Sequence, residues 1–404
     1  MWALLVTLWF WLADPLAPQL VKTAQIAFRW KSGQTTFRYA VQLGVLYQIL
    51  FSSYIAYRLV DSDAAFRAIL RGFITGTTAS VVLGIYQVAA YRFNWWWIFS
   101  YEEATDLRGN FGMVGGHSSL VGPLGWLRLS GLGGEPKHTA AFIVIALCAI
   151  TSLAFAGRVV ASWKIFALLL LGLALTLSTS GWFAFAFAAT ILAVSGSARF
   201  LSPWGTKILV PAQFAAVLAV GGIAFLFILD SQARREIVQT RITERLGGAY
   251  ASVREFEWKD DALFRFLAEN PYQSILGHGM GGVDFYLVRY AKPYITSNST
   301  PTPTYTLSWL IGDIGVVGTF LLVAMLVVWR NSVRRSLAAR LFITAAGSAI
   351  LIQPAFALGG FMLLAGGFLR HGTAPHEAQL PLLHRTRLLV ADSKVIPRFD
   401  EHTV

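Results

Sequence analysis

The chain has 404 residues, of which 55% are hydrophobic and only 13% are charged. A soluble domain carries about 25% charged residues, so this composition argues against a soluble enzyme or binding module. The formal net charge of +12 does not indicate nucleic-acid binding, because the basic residues lie in short stretches between long apolar runs, where membrane proteins carry them.

The apolar runs predict an all-α fold, a polytopic membrane helical bundle of about 9–10 transmembrane helices with one large outer loop. In chain order they lie near 1–13, 38–60, 68–90, 139–157, 165–180, 182–196, 208–229, 305–329 and 341–369. Barrel strands are excluded, because they would show alternating segments of about ten residues. The predicted units are an N-terminal transmembrane bundle (1–229, with an outer loop at 91–138), a large outer loop (230–304), C-terminal transmembrane helices (305–369) and a polar tail (370–404).

Two places leave the helix count open. The runs 165–180 and 182–196 are short, and they predict two tilted helices joined at a turn over residues 178–181. The run 341–369 contains Pro354, so it is either one long kinked span or a tight hairpin.

Lysine and arginine in the short loops predict the orientation of the bundle. Basic clusters at 58–71, 158–164, 199–207 and 330–340 can share the cytoplasmic side, which puts 91–138 and 230–304 outside. The basic stretch 14–37 then falls on the wrong side, which predicts either a missing upstream helix or an interfacial segment. The first 12 residues lack the basic start and the cleavage site of a signal peptide, and they predict a short or truncated first span.

The outer loop 230–304 has nine basic and nine acidic residues, and seven of the nine cations are arginine. A guanidinium group binds phosphate through a bidentate fork and stays charged, so arginine suits a diphosphate better than lysine does. The alternative is a solvated helical face with Glu and Arg at i,i+4 spacing, which Arg241 and Arg245 fit.

A glycine-rich stretch at 277–282 follows in the same loop. Gly277, Gly279 and Gly281 allow close approach of the backbone, and they are candidate ligand contacts. The stretch is not a Walker loop, since no Gly-Lys-Ser/Thr follows. His278 is either a base or hydrogen-bond donor to phosphate, or a turn residue whose ring packs on the loop.

The earlier outer loop ends in a charged segment, 128–138, directly before a span. Pro136 lies just before that helix, a position that favours a residue without an N–H, and the helix dipole there favours the charge of Glu135, so both residues have a structural explanation. Arg128, Glu135 and His138 also form a candidate site, because ionisable groups at the membrane face are functional candidates. Cys148, the only cysteine, lies in an apolar run, so no disulfide within the chain and no cysteine metal site are predicted. No cofactor is expected.

Four short motifs between about residues 80 and 320 resemble motifs of the O-antigen ligase and polymerase superfamily in their order and spacing. They are Arg128-x-x-Gly131…Glu135-Pro136, Leu175-Thr176-x-Ser178, Arg254…Trp258…Asn270-Pro271…Leu276-Gly277-His278-Gly279-x-Gly281, and Leu310-x-x-Asp313-x-Gly315-x-x-Gly318. The family comprises Wzy-type polysaccharide polymerases, O-antigen ligases and related protein glycosylases, which are all-helical membrane enzymes.

The resemblance implies metal-independent transfer of a glycan from an undecaprenyl diphosphate carrier to an acceptor hydroxyl. It implies the bacterial inner (cytoplasmic) membrane, with 230–304 as the large periplasmic loop. Arg128 and Arg254 would hold the diphosphate, and Arg265 of the same loop is a third candidate. The expected partners are a lipid-linked oligosaccharide substrate and the lipid bilayer; a chain-length regulator is a candidate partner, and no nucleic acid is expected.

Two departures from the family pattern bear on the activity. Thr179 and Ser180 stand where the family often has an arginine, and Thr304-Tyr305 stands where ligases often have a His-Asn pair. The second departure favours a polymerase over a ligase, and an inactive or divergent member stays an alternative.

The mechanistic hypothesis is an inverting displacement at the anomeric carbon, with arginines stabilising the departing diphosphate. Glu135 is the first candidate for the base that takes the acceptor proton, and His138 and His278 are alternates. A non-enzymatic polysaccharide or lipid transporter is the main rival, and it should show broken helices or polar residues at mid-membrane. A scaffold subunit of a cell-envelope complex is the third reading.

Overall fold

The computed structural model describes residues 1–12, 32–93, 95, 128–133, 136–197, 271–280, 282, 306–354 and 357–373. Within these residues the chain forms ten α-helices and one 3₁₀ turn, and no strand. The predicted all-α class is therefore confirmed for the part of the chain that the structure describes.

The helices are numbered here in chain order. They are α1 (Trp2–Leu12), α2 (Ser32–Leu59), α3 (Asp63–Phe93), α4 (Pro136–Phe155), α5 (Trp163–Leu175), α6 (Thr179–Ser197), α7 (Pro271–Leu276), α8 (Thr306–Ser332), α9 (Leu337–Ile350) and α10 (Leu358–Thr373). The 3₁₀ turn covers Gly131–Gly133.

Four of these helices are long and apolar enough to cross a membrane, as in a helical membrane protein. Their apolar segments are Ala40–Leu59, Asp63–Ala90, Pro136–Phe155 and Thr306–Ser332. Helices α5 and α9 are apolar but have only 13 and 14 residues. At 1.5 Å per residue they are about 20 Å long, which is shorter than the roughly 30 Å hydrocarbon core of a bilayer. The predicted run 208–229 lies outside the described residues.

The run 341–369 forms two antiparallel helices, which decides between the two predicted alternatives in favour of the hairpin. Phe342 of α9 stacks on Phe368 of α10 with ring centroids 4.3 Å apart. Near the other end of α9, Gly347 lies against the ring of Phe361. The helices are separated at Pro354, which lacks an N–H and disfavours helical geometry in the preceding residue.

Helices α5 and α6 are separate, as the sequence predicts, but their junction lies at residues 176–178 and not at the predicted turn 178–181, because residues 179–181 already belong to α6. At this junction Leu177 has a positive φ of 49°, an uncommon conformation for a residue with a side chain. Helices α5 and α9 begin alike. Ser162 and Ser336 each cap the helix by accepting a hydrogen bond from the backbone N–H three residues on.

Helix α4 lies at the centre of the bundle and is buried on all sides along most of its length. A helix that is apolar all round belongs in a core. Elsewhere in the bundle, small residues allow two helices to approach closely. Gly366 of α10 lies against the backbone of Ser53 in α2, and Gly181 of α6 lies against Ala140 of α4.

At one end of the bundle, here called the arginine-rich end, an ionic cluster links α3, α10 and the connection after α4. Asp63 at the start of α3 pairs with Arg67 at 2.8 Å and with Arg158, after α4, at 3.2 Å. The Arg158 guanidinium also lies 2.6 Å from Nε2 of His371, whose ring stacks on Phe66. The end of α10 therefore lies beside the start of α3 and the connection that follows α4.

Candidate functional site at the helix breaks

At the opposite end of the bundle, Arg128 is bonded to the junction between α5 and α6. Its Nε donates to the carbonyl of Thr176 at 3.0 Å, and an Nη donates to the carbonyl of Leu177 at 3.2 Å. The backbone N–H of Leu129 donates to the carbonyl of Leu175. The last carbonyls of a helix lack partners within the helix and carry partial negative charge, so a cation is favourable there.

The turn after Arg128 is held by α3. Gly131 has a φ of +53°, and a Cβ at this position would collide with Ser80, so the motif requires glycine. The Oε1 of Gln87 accepts from the N–H of Gly131 at 3.1 Å, and Oγ of Ser80 accepts from the N–H of Leu132 at 2.9 Å. Gln87 is buried, and sequence reasoning missed it.

The first turn of α4 is attached to the same segment. Helix α4 begins at Pro136 itself, which the sequence places just before the helix. The hydroxyl of Thr139 donates to the carbonyl of Ser130. His138 lies in this first turn and is half-buried. The structure thus brings the Arg128 segment and the His138 turn together. Glu135, the first candidate for the base, lies outside the described residues.

Helix α8 is broken at Gly315, which has φ 71° and ψ 177°. The break faces the glycine-rich stretch, where Gly277 has a φ of +85° and its backbone meets that of Gly315. The carbonyls beside the break find other partners. The carbonyl of Gly312 accepts from His278, and that of Ile314 accepts from Nε1 of Trp2 at 2.8 Å.

His278 is only 1% exposed and is bonded twice to α8. Its backbone N–H lies 3.1 Å, and its Nδ1 2.7 Å, from the carbonyl oxygen of Gly312. A carbonyl only accepts, so Nδ1 carries a hydrogen in this contact. These two bonds fix the loop against the broken helix.

The rest of the glycine-rich stretch docks on α1. Gly279 has a φ of +80°, and its Cα lies close to the backbone of Thr7. The hydroxyl of Thr7 accepts from the N–H of Met280 at 3.0 Å. Gly277 and Gly279 therefore serve close packing of the backbone within the protein, and Gly281 lies outside the described residues.

A third junction joins the connection between α9 and α10 to α8 and α6. The carbonyl of Gln353 accepts from the N–H and the hydroxyl of Thr306, at 2.8 and 2.7 Å, and the carbonyl of Leu351 accepts from the N–H of Leu307. The Nε2 of Gln353 donates to the carbonyl of Ser180 at 2.8 Å. Unpaired N–H groups of α8 thus meet unpaired carbonyls at the end of α9, an arrangement that both helix dipoles favour.

The three junctions together form what we call the break network. It consists of residues 128–131, 175–180, 277–280, 306–315 and 351–353. Of the predicted site residues, Arg128, His278, Gly277 and Gly279 belong to it, and His138 adjoins it. Sequence reasoning missed Gln353 and Trp2. The signal available for Gln353 was a polar residue next to proline inside an apolar run.

The remaining site predictions stay untested. Arg254 and Arg265 lie outside the described residues, as does most of the loop 230–304. Among the residues that the structure describes, no group of three or more His, Cys, Asp or Glu side chains could hold a metal ion. Comparison with protein-family models, with curated proteins and with solved structures gave no match to this chain.

Proposed function

We propose that the protein polymerises lipid-linked oligosaccharide repeat units, by glycan transfer from undecaprenyl diphosphate to an acceptor sugar hydroxyl. The observation that carries the proposal is the Arg128 guanidinium, fixed by two carbonyls at a helix junction on the end of the bundle opposite the arginine-rich end. The motif resemblance described above supplies the reaction class.

The proposed orientation puts the arginine-rich end in the cytoplasm and the break network at the periplasmic face of a bacterial inner membrane. Basic residues at Arg67, Arg158, Arg334 and Arg370 share that end or its connections, in line with the positive-inside rule. The segment 230–304 is then a periplasmic loop that contacts the bundle at residues 277–280.

The proposed step is a displacement at the anomeric carbon of the growing chain's first sugar. The acceptor oxygen forms the new C–O bond while the bond from the anomeric carbon to the diphosphate oxygen breaks, and the electron pair leaves with the diphosphate. A base takes the hydroxyl proton, and Glu135, His138 and His278 are the candidates. Arginines stabilise the charge that develops on the leaving diphosphate.

Arg128 has a purely structural alternative, because a C-terminal helix cap makes the same two bonds. The test compares Arg128→Lys and Arg128→Gln in a deletion strain, with glycan profiling, membrane abundance and thermal unfolding of the purified protein. Loss of one charge-stabilising donor group should lower polymer formation per folded molecule about a hundredfold. The exposed Arg334, changed to Gln, is the matched control at the other end.

The possible outcomes distinguish a polymerase, a ligase and a purely structural role of Arg128. Single lipid-linked repeat units with no long polymer in the deletion strain support a polymerase, and long polymer retained on its carrier indicates a ligase. If polymer and its attachment are both unchanged, the proposed function is wrong. If the Arg128 variants lose stability but keep full activity per folded molecule, Arg128 is only a helix cap.

The break in α8 favours one second candidate, a polysaccharide or lipid transporter. Backbone that is not helical at membrane depth is tolerated when it is buried or lines a cavity, and transporters build their sites from such breaks. The break in α8 adjoins Asp313, which is 1% exposed. Reconstitution in liposomes with a lipid-linked glycan discriminates the two, since a transporter moves the intact molecule and forms no new glycosidic bond.

A further inference from the structure

Gln353 is a buried side chain whose two polar ends differ in their bonding. The residue is 1% exposed, and its Nε2 donates to the carbonyl of Ser180 at 2.8 Å. Its Oε1 is buried and has no hydrogen-bond partner in the part of the chain that the structure describes. A buried acceptor left without a donor is costly, so native proteins rarely keep one without a reason.

The amide cannot resolve this by turning over. A flipped amide would place Oε1 against the carbonyl oxygen of Ser180, and both oxygens only accept hydrogen bonds. The bond from Nε2 to that carbonyl would then be lost. The main chain of Gln353 is fixed as well, because its carbonyl holds both the N–H and the hydroxyl of Thr306. The junction therefore presents a fixed acceptor, and its missing partner is a hydrogen-bond donor.

The surroundings favour a neutral hydroxyl as that donor. The hydroxyls of Ser178 and Ser180 lie 3.2 Å apart next to the junction, and Ser180 is half-buried, so the polar patch extends toward the surface. A phosphate or carboxylate oxygen would be repelled, because its negative charge would face the partial negative charge of Oε1, and when ionised it has no hydrogen to donate. A sugar hydroxyl both donates to Oε1 and accepts from a serine.

We propose that the junction of Gln353, Ser180 and Thr306 is a subsite for a sugar hydroxyl of the lipid-linked glycan, with Oε1 of Gln353 as its acceptor. This inference rests on the proposed function and assigns Gln353 as a glycan-binding residue. It separates two tasks within the break network, because Arg128 addresses the diphosphate while Gln353 addresses the sugar.

Two substitutions test the acceptor. Gln353→Met removes Oε1 while keeping a side chain of similar length, and Gln353→Glu keeps an acceptor oxygen and, when protonated by burial, a donor to Ser180. Ser152→Ala is the matched control, because its hydroxyl is also buried without a partner in the described residues but lies in the last turn of α4, away from the break network. All are studied as full-length chains in lipid nanodiscs.

The probes are lipid-linked repeat units extracted from the deletion strain and undecaprenyl diphosphate without glycan. Gln353→Met should raise KM for the repeat units about three- to tenfold, the loss of one neutral hydrogen bond, with little change in kcat. Gln353→Glu should stay within about twofold of wild type, and Ser152→Ala should match wild type. The glycan-free carrier should raise the melting temperature of wild type and Gln353→Met equally.

Three results would overturn the subsite. KM could be unchanged in Gln353→Met, which would leave a buried water as the partner of Oε1. Activity could fall only in proportion to folded protein, which would make Gln353 a structural pin. The glycan-free carrier could bind Gln353→Met more weakly, which would assign the junction to the diphosphate. Failure of the proposed function looks different, because the folded wild-type chain itself would then form no polymer.

Discussion

Replacing Gly315 by alanine should be among the most damaging single-methyl changes in this protein. The backbone at φ 71° and ψ 177° lies in a region that is essentially restricted to glycine. A Cβ there would lie 2.5 Å from the carbonyl carbon of Leu276 and 2.6 Å from the nitrogen of Gly277. Both are backbone atoms of a docked segment, so neither can move aside cheaply.

The magnitude follows from these two effects. Backbone strain in this region costs about 1–3 kcal/mol, and forcing an extra methyl into a packed site costs about 1–3 kcal/mol more. Native proteins are stable by only about 5–15 kcal/mol, so a loss of roughly 2–6 kcal/mol is a large part of the total. The chain can relax by straightening α8, but this would break the bonds from His278 and Trp2 to the carbonyls of Gly312 and Ile314.

The assay is unfolding of the purified protein in dodecyl maltoside with rising SDS, followed by circular dichroism. Gly76→Ala is the matched control, since its Cβ would meet nothing within 4 Å in the middle of α3, where alanine favours a helix by up to about 1 kcal/mol. If Gly315→Ala unfolds at the same SDS fraction as wild type and Gly76→Ala, the broken geometry of α8 and its contact with Gly277 are refuted.

Two further predictions concern the arginine-rich end and the sidedness of the bundle. His371 lies beyond the apolar run 341–369, and burial, followed by the nearby Arg158 cation, lowers its pKa below the usual 6.5. The unfolded chain therefore binds more protons as the pH falls through about 6.5, so the free energy of unfolding should decrease from about pH 7.5 to 5.5. His371→Gln should flatten that dependence, and an equal slope in both proteins would rule His371 out as its source. In a Cys148→Ala background, Leu132→Cys (65% exposed) should react with an impermeant maleimide in intact spheroplasts. Val159→Cys (89% exposed) should react only after lysis, and labelling of both positions from one side would contradict the proposed orientation.

The sequence predicts the helices well where burial alone decides them. The apolar runs 139–157 and 305–329 correspond to α4 and α8, because a bilayer or a core demands apolar side chains over the whole length. The split between α9 and α10 was predictable only as an alternative. Pro354 interrupts a helix, but whether the chain then continues or turns back depends on what the second half packs against, here α2 and α9.

The break in α8 could not be read from the sequence. Gly315 is one of three glycines in the first half of α8, with Gly312 and Gly318, and a glycine in an apolar run is equally compatible with a straight helix. What selects Gly315 is the docking of Gly277, far away in the chain. The positive φ of each glycine allows the two backbones to touch, so the two positions specify each other.

The same limit applies to the candidate site. Pro136 was predictable because its role is local, namely the start of a helix. Arg128 bonds to the carbonyls of Thr176 and Leu177 across 48 and 49 positions, and the sequence did not predict those partners. Gln87 bonds across 44 positions and Gln353 across 173, and no local pattern predicts such partners. Trp2 reaches Ile314 across 312 positions, so the first helix completes a break that lies near the other end of the chain.

The geometry of Arg128 also bears on how a diphosphate would be held. At least two of the five guanidinium N–H donors are committed to the carbonyls of Thr176 and Leu177. The partial negative charge at the end of α5 also offsets part of the arginine's positive charge. A leaving diphosphate carries more than one negative charge, and a single, partly compensated guanidinium does not balance it. If the proposed function holds, Arg128 would anchor one phosphate in a fixed place, and Arg254 and Arg265 of the loop 230–304 would supply the remaining positive charge. The loss on removing Arg128 should then be smaller in a chain that already lacks Arg254, because the two would act on the same leaving group.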